Sequence, residues 1–186
     1  MSIGSLLLVN AAHPYRPQGP GPALATLEPE SSVLLCQPAA RALGRLLDAV
    51  GGRQALVPVS GWRSHREQSL LYAQSVEENG PAFTAQYVAK PGCSEHETGL
   101  AIDMGLRLPE IDFIRPSFPD EGVCRAFRRQ GARFGFILRY PQGKEAVTGI
   151  AWEPWHFRYV GTPHAQIMQE HGLCLEEYPA FLQEKP

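Results

Sequence analysis

The carboxylate of Asp103 ends an otherwise apolar run, Leu100-Ala101-Ile102-Asp103, and this placement constrains the fold more than any other feature of the chain. A run of this kind alternates as a β-strand, with Ala101 and Asp103 on one face and Leu100 and Ile102 on the other. Burying the carboxylate there is costly unless a cation compensates it. His96 stands seven positions earlier in Ser94-Glu95-His96-Glu97-Thr98-Gly99, and Gly99 can turn the chain back onto the strand. A second stretch, Glu153-Pro154-Trp155-His156, lies far along the chain. Together they look like halves of one zinc-hydrolase site: two imidazoles and one carboxylate leave a fourth metal position open, and Glu153 remains to handle protons. Taken singly, His96 suits a surface loop and Asp103 a strand edge. The joint pattern is what argues for a shared site.

Length and charge narrow the setting. The chain has 186 residues and is 44% hydrophobic, enough for one well-buried core and too short to suggest two independent domains. Its 17 basic and 19 acidic side chains leave a formal net charge of -2, so no global field favours nucleic acid or an anionic membrane. The N-terminal apolar run Leu6-Leu7-Leu8-Val9 is too short for a signal peptide or a membrane span. A cytoplasmic protein is expected. The cysteines, Cys36, Cys93, Cys124 and Cys174, are widely spaced and form no C-x-x-C pair, which disfavours a zinc knuckle and suggests free thiols in a reducing compartment.

Pro and Gly crowd residues 13 to 31, predicting an irregular arm that wraps the domain. Residues 1–35 are expected to form a strand and this arm, and residues 36–186 the catalytic core of a single domain. Pro38, then Leu43, Leu46, Leu47 and Val50 at helical spacing, then Gly51-Gly52, predict a first helix. Leu56 to Val59 reads as a strand. Ser64-His65-Arg66-Glu67 is a capping box that starts a second helix ending at Gly80, so Arg63 sits just before a helix N-terminus.

Farther on, a helix around Glu121 to Arg133 is expected to bury Val123 and Phe127, and Phe134 to Tyr140 supplies an aromatic strand with Gly149 to Val160 as its hairpin partner. In that partner Trp155 and Phe157 share one face, and His156 and Arg158 the other. Glu153 would fall opposite His156 in a regular strand, so a bend at Pro154 must reconcile them. Thr162 and Pro163 start a helix ending near Gly172, and Leu175 to Leu182 predicts a short helical piece interrupted by Pro179. The expected class is α+β: a small antiparallel sheet with helices packed on one side and an irregular N-terminal arm.

Several blocks, in order along nearly the whole chain, resemble the VanY and VanXY D,D-peptidases. They are Ser60-Gly61-Trp62-Arg63-Ser64, Pro91-Gly92-Cys93-Ser94-Glu95-His96, Gly99-Leu100-Ala101-Ile102-Asp103, Gly135-Phe136-Ile137-Leu138-Arg139-Tyr140-Pro141, and Thr148-Gly149-Ile150 before Glu153-Pro154-Trp155-His156-Phe157-Arg158-Tyr159-Val160-Gly161. The resemblance implies a Hedgehog/D,D-peptidase-like fold and one Zn2+ per chain, held by His96, Asp103 and His156. It implies Glu153 as catalytic base and Arg63 as a cleft arginine for the substrate carboxylate or the oxyanion.

The implied activity removes terminal D-alanine from peptidoglycan precursor peptides, D-Ala-D-Ala dipeptide, or both, in the setting of glycopeptide resistance. Gln68 and Ser94 resemble carboxylate-pocket positions. Trp155 suits the core by its strand position and a substrate wall by resemblance. Ser60 looks more like the carboxypeptidase branch than relatives with an acid there for the ammonium of a free dipeptide; Glu95, Glu97 or an acid between Leu106 and Asp120 can supply that charge instead. His65, His164 and His171 read as surface histidines, and Cys93 as a small buried thiol. Two other functions compete: an L,D-peptidase acting on wall peptides, and a non-catalytic zinc-binding module of the Hedgehog kind.

Overall fold

The computed structural model describes residues 3–17, 21–27 and 31–184. A 3-10 turn at Ile3–Leu6 is followed by β1 (Leu24–Thr26), β2 (Leu34–Cys36), α1 (Gln37–Ala49), β3 (Leu56–Ser60), α2 (His65–Asn79) and α3 (Pro81–Tyr87). After a 3-10 turn at Glu95–Thr98 come β4 (Ala101–Leu106), α4 (Gly122–Gln130), β5 (Phe136–Tyr140), α5 (Glu145–Thr148), β6 (Glu153–Tyr159), α6 (His164–His171) and α7 (Tyr178–Glu184). β1 and β2 form an antiparallel pair, and the main sheet has the order β3-β4-β6-β5 with every neighbour antiparallel. The α+β class and the antiparallel sheet are as expected, but helices pack on both faces of the sheet rather than on one side.

The core lies on one face of the main sheet. Ile102, Met104, Phe136, Trp155 and Phe157 meet Leu43, Leu46 and Leu47 of α1 and Phe127 of α4, all buried. Leu43, Leu46 and Leu47 recur at the spacing that puts one stripe of α1 against the sheet. Each such leucine contributes about 1.5–3 kcal/mol of burial. Phe118, Phe127 and Phe157 close the cluster edge to face, with centroids 4.9–5.7 Å apart. A smaller cluster gathers Ile137, Val160, Ala165, Met168 and Tyr178 where α6 and α7 pack. Ile137 alternates with Phe136 along β5, so these helices add cover on the face opposite α1.

Several local expectations need correction. The arm is not wholly irregular: the apolar residues Leu24-Ala25-Thr26 pair with Leu34-Leu35-Cys36. Its Gly19-Pro20 and Pro29 lie outside the described residues. The anticipated boundary between residues 35 and 36 therefore runs through β2. In α4 Cys124, rather than Val123, is the second buried position beside Phe127, and the helix ends at Gln130 before a 3-10 turn at Gly131–Phe134. α5 interrupts the connection between β5 and β6. Pro179 does not interrupt the last helix. It falls in the first turn of α7, where a missing N–H leaves no intrahelical bond unmade.

Two irregularities position the site. Between β5 and β6 the register runs from Leu138↔Phe157 to Tyr140↔Glu153, so two residues of β5 span four of β6. That bulge is the bend expected at Pro154, and it returns Glu153 to the face of His156. Between β3 and β4 the pairing shifts from Pro58↔Met104 to Ser60↔Asp103.

Candidate active site

Asp103 and His156 are direct cross-strand partners on β4 and β6, on the face away from α1. His96 reaches them from the 3-10 turn at Glu95–Thr98, which Gly99 ends in the left-handed conformation at φ 72°. The turn leaves a loop and returns on β4, as the spacing of His96 and Asp103 requires. All three side chains are buried, and their nearest ligand-type atoms lie within 4.8 Å of one another. His96 Nε2 is 3.2 Å from Asp103 Oδ2, and His156 Nδ1 is 3.0 Å from Asp103 Oδ1. The imidazoles meet edge to face at 5.0 Å.

The segment before α2 orients His96. Gly61 O lies 2.7 Å from His96 Nδ1, and Arg63 N donates to His96 O at 3.2 Å. The carbonyl assigns a proton to Nδ1 and leaves the Nε2 lone pair facing the Asp103 carboxylate. Gly61 has no room for a side chain: a Cβ there would sit 2.2 Å from Leu34 O.

The donor set fits a divalent cation. Bare imidazole nitrogens facing a carboxylate repel without a positive charge between them, and two imidazoles with one carboxylate suit zinc. Asp103 Oδ1 is buried without a hydrogen-bond partner. In the protein alone these charges lean on one another. Burial raises the Asp103 carboxyl, but His96 and His156 hold it well below the carboxylate range. Burial lowers the His156 imidazole, yet Asp103 and Glu95 leave it raised to about 9. His96 is lowered by burial first and by Arg63 second.

Glu153 begins β6 with its Oε2 3.7 Å from His156 Nδ1. Burial above all, with Asp103 and Glu95 adding to it against His156 and Arg63, raises its carboxyl to about 8. A carboxylate so disposed is ready to hold a proton near neutrality.

A cleft opens over this cluster, lined by Arg63, Gln68, Ser94, Tyr140 and Trp155 among others. Arg63 Nε is buried with no hydrogen-bond partner, and burial lowers the guanidinium pKa against the pull of Asp103 and Glu153. Gln68 is buried, its Nε2 donates to Ala89 O at 2.7 Å, and its Oε1 has no partner. Trp155 serves both expected roles, packing into the core and lining the cleft. Ser60 is beside the site by register, opposite Asp103, yet it is not among the cleft-lining residues.

Of the acids considered for a dipeptide ammonium, Glu110 is exposed and is not among the cleft-lining residues, and the others are engaged elsewhere. Glu97 accepts from Gly92 N at 2.7 Å and lies 3.0 Å from His65 Nδ1. Glu95 pairs with Arg139 and Arg158. From the loop before α4, Phe113 and Ile114 line the cleft, whereas Asp112 caps backbone amides and Asp120 pairs with Arg128. His65 and His171 are exposed, and His164 Nδ1 lies 2.9 Å from the Tyr178 hydroxyl. All four cysteines are free; Cys93 is half-buried rather than buried.

Tyr140 escaped the sequence analysis as a site residue. Its ring lies 4.9 Å from that of His156, and burial pushes its phenol well above the ordinary value. Arg139 and Arg158 were missed as well. The signal was present: an arginine inside each of two apolar, aromatic strands demands a buried anion, by the logic applied to Asp103.

Over most of its length the chain is similar to known D,D-peptidases. The bifunctional D-Ala-D-Ala dipeptidase and D-Ala-D-Ala carboxypeptidase VanXYC of Enterococcus gallinarum is 44% identical over 183 residues, covering 97% of this chain and 96% of that one. The structure of the vancomycin resistance D,D-dipeptidase VanXYg in complex with a D-Ala-D-Ala phosphinate analog superposes with a TM-score of 0.93 at 47% identity, over 96% of this chain and 71% of that one. A vancomycin resistance D,D-pentapeptidase VanY variant in complex with Zn(II) gives a TM-score of 0.80 at 32% identity, over 95% of this chain and 99% of that one. Residues 32–162 match the family model for VanY, D-alanyl-D-alanine carboxypeptidase. On this similarity, and on the shared architecture, the chain belongs to the VanY D-alanyl-D-alanine carboxypeptidase family.

Proposed function

We propose that this protein is a zinc D,D-peptidase of the glycopeptide-resistance type, hydrolysing the terminal D-alanine of peptidoglycan precursor pentapeptide and, more weakly, free D-Ala-D-Ala. The observation that carries the proposal is the buried His96-Asp103-His156 cluster with Glu153 beside it at the floor of an arginine-lined cleft. His96 Nε2, Asp103 and His156 Nδ1 hold one zinc per chain. Bound there, the ion supplies Lewis-acid polarisation of the scissile carbonyl and acidification of a water. Glu153 accepts the proton of the attacking water and passes one to the departing amine, so no acyl-enzyme forms. Arg63 offers a planar fork to the substrate carboxylate or to the oxyanion. Gln68 Oε1 and Ser94 line the end of the cleft that takes the terminal residue, and Trp155 and Tyr140 keep bulk water from the reacting bond.

The polypeptide is read as one catalytic domain over residues 1–186. No described helix is long and apolar enough to cross a membrane. A cytoplasmic site of action is part of the proposal, and fractionation of the producing cells tests it.

The preference for the pentapeptide rests on charge. A free dipeptide presents an ammonium near the scissile bond, and Glu95 and Glu97 are held by other partners. Ser60 offers a neutral hydroxyl. The kcat/KM of wild type and Ser60→Asp on D-Ala-D-Ala, a D-Ala-D-Ala-ended pentapeptide and a tetrapeptide with an L,D terminal bond tests the proposal. Wild type should prefer the pentapeptide, and the variant should shift toward dipeptide. Preferential cleavage of the L,D bond would overturn the D,D assignment, and a wild-type preference for dipeptide would overturn the substrate order.

A further inference from the structure

A buried chain of charges connects the metal cluster to both ends of the polypeptide. Glu95 Oε1 accepts from Arg139 Nε at 2.7 Å and lies 2.8 Å from Arg158 Nη1; all three side chains are fully buried. Its other oxygen, Oε2, faces His156 Nε2 at 3.6 Å, just beyond hydrogen-bond length, and both atoms are buried with no hydrogen-bond partner. Beyond Arg139 the chain continues to Glu176, between α6 and α7, through two parallel bonds of 2.9 and 2.6 Å. Arg158 reaches the other terminus, donating from Nη2 to Ser5 O at 3.2 Å and Leu7 O at 2.7 Å.

Burying two guanidinium groups and a carboxylate is not a route to stability in itself, since desolvation offsets most of their attraction. What the arrangement does provide is a fixed anion behind one imidazole. His156 Nδ1 faces Asp103, so Nε2 must carry the ring proton if Nδ1 is to offer a lone pair.

We propose that Glu95 is the positioning residue for His156, accepting the Nε2 proton and thereby setting the tautomer and the ring angle. Arg139 and Glu176 in turn hold Glu95 in place, so the segment between the last two helices is part of the metal site's support. The inference rests on His156 being a zinc ligand. Outer partners of metal-bound histidines typically govern affinity by about 10- to 100-fold. Glu95→Gln keeps the size and an acceptor oxygen but loses the charge that anchors both arginines. Glu176→Gln removes the distant anchor while Glu95 and the cluster stay intact.

The experiment is zinc affinity by competition with a chelator, for wild type, Glu95→Gln, Glu176→Gln and the double variant, with thermal unfolding of each metal-free protein alongside. The expected result is a loss of about 10- to 100-fold for Glu95→Gln. A smaller loss is expected for Glu176→Gln, and a double variant no weaker than Glu95→Gln alone, because both act through one route. In zinc-loaded wild type, nitrogen-edited NMR should show a slowly exchanging, downfield proton on His156 Nε2, a measurement that does not depend on the variants folding. Wild-type zinc affinity in a folded Glu95→Gln protein, additive losses in the double variant, or absence of that protected proton would overturn the proposal. A wild-type protein that takes up no zinc would instead overturn the ligand assignment beneath it.

Discussion

Single atoms carry most of the weight at the residue scale. Glu153 is the carboxylate beside the cluster with no arginine bound to it, and burial raises it toward neutrality. Glu153→Gln should fold, retain zinc and lose about 10²–10⁴ in kcat, the usual share of a general acid-base group. Turnover within a factor of a few of wild type would move the base elsewhere. Gly61 is constrained from the opposite direction: its carbonyl orients His96, and any Cβ would meet Leu34 O. Gly61→Ala should cost at least about 1–3 kcal/mol in unfolding free energy, as overpacking does, and should weaken zinc binding because the carbonyl must shift. Denaturant melts with and without metal separate the two effects, and an unchanged zinc affinity would release Gly61 from any role in holding His96.

At the scale of elements, β4, β6 and the start of α2 do the positioning, and each is held by a local device. Ser64 caps α2: its hydroxyl oxygen accepts from Glu67 N at 3.2 Å, and Ser64 N donates to Glu67 Oε2 at 2.7 Å. Hydrogen bonds from the Ser64 side chain and backbone lower the Glu67 pKa. A depressed carboxyl adds stability above its unfolded value of about 4.3 and loses it as pH falls through the folded value. Ser64→Ala should therefore cost about 1 kcal/mol at neutral pH and less as the pH drops below about 4, in melts run across that range. A pH-independent difference would mean that Glu67 takes no part in the cap.

These elements were also where the sequence was most and least readable. The capping box, the stripe of α1 and the Gly99 turn have local signatures, and they stand where those signatures put them. The bulge in β6 was legible only as a conflict between the positions of Glu153 and His156. The β1-β2 pair was hidden by the prolines and glycines around it, and the start of α7 by a proline that reads as a breaker until its place in the first turn is known.

On the scale of the whole molecule, the antiparallel sheet separates two tasks. One face, with α1 and α4, is apolar and supplies the core; the other carries His156, Asp103, Arg139 and Arg158. The His96-Asp103-His156-Glu153 set could be named from sequence because its motifs are short and joined by resemblance. Glu95, Arg139 and Glu176 could not be joined that way, since their partnership depends on strands and a helix linker meeting in space. The lining of the cleft was likewise only partly readable: Gln68 proved buried, while Ser60 lies beside the cleft without lining it.

Release of D-alanine from a D-Ala-D-Ala-ended pentapeptide, followed before chelation, after it, and after zinc is restored, tests the central claim most directly. Activity should disappear with the metal and return with about one zinc per chain, since His96, Asp103 and His156 would hold an ion that supplies Lewis-acid chemistry beside Glu153. Undiminished release from the metal-free protein would contradict it.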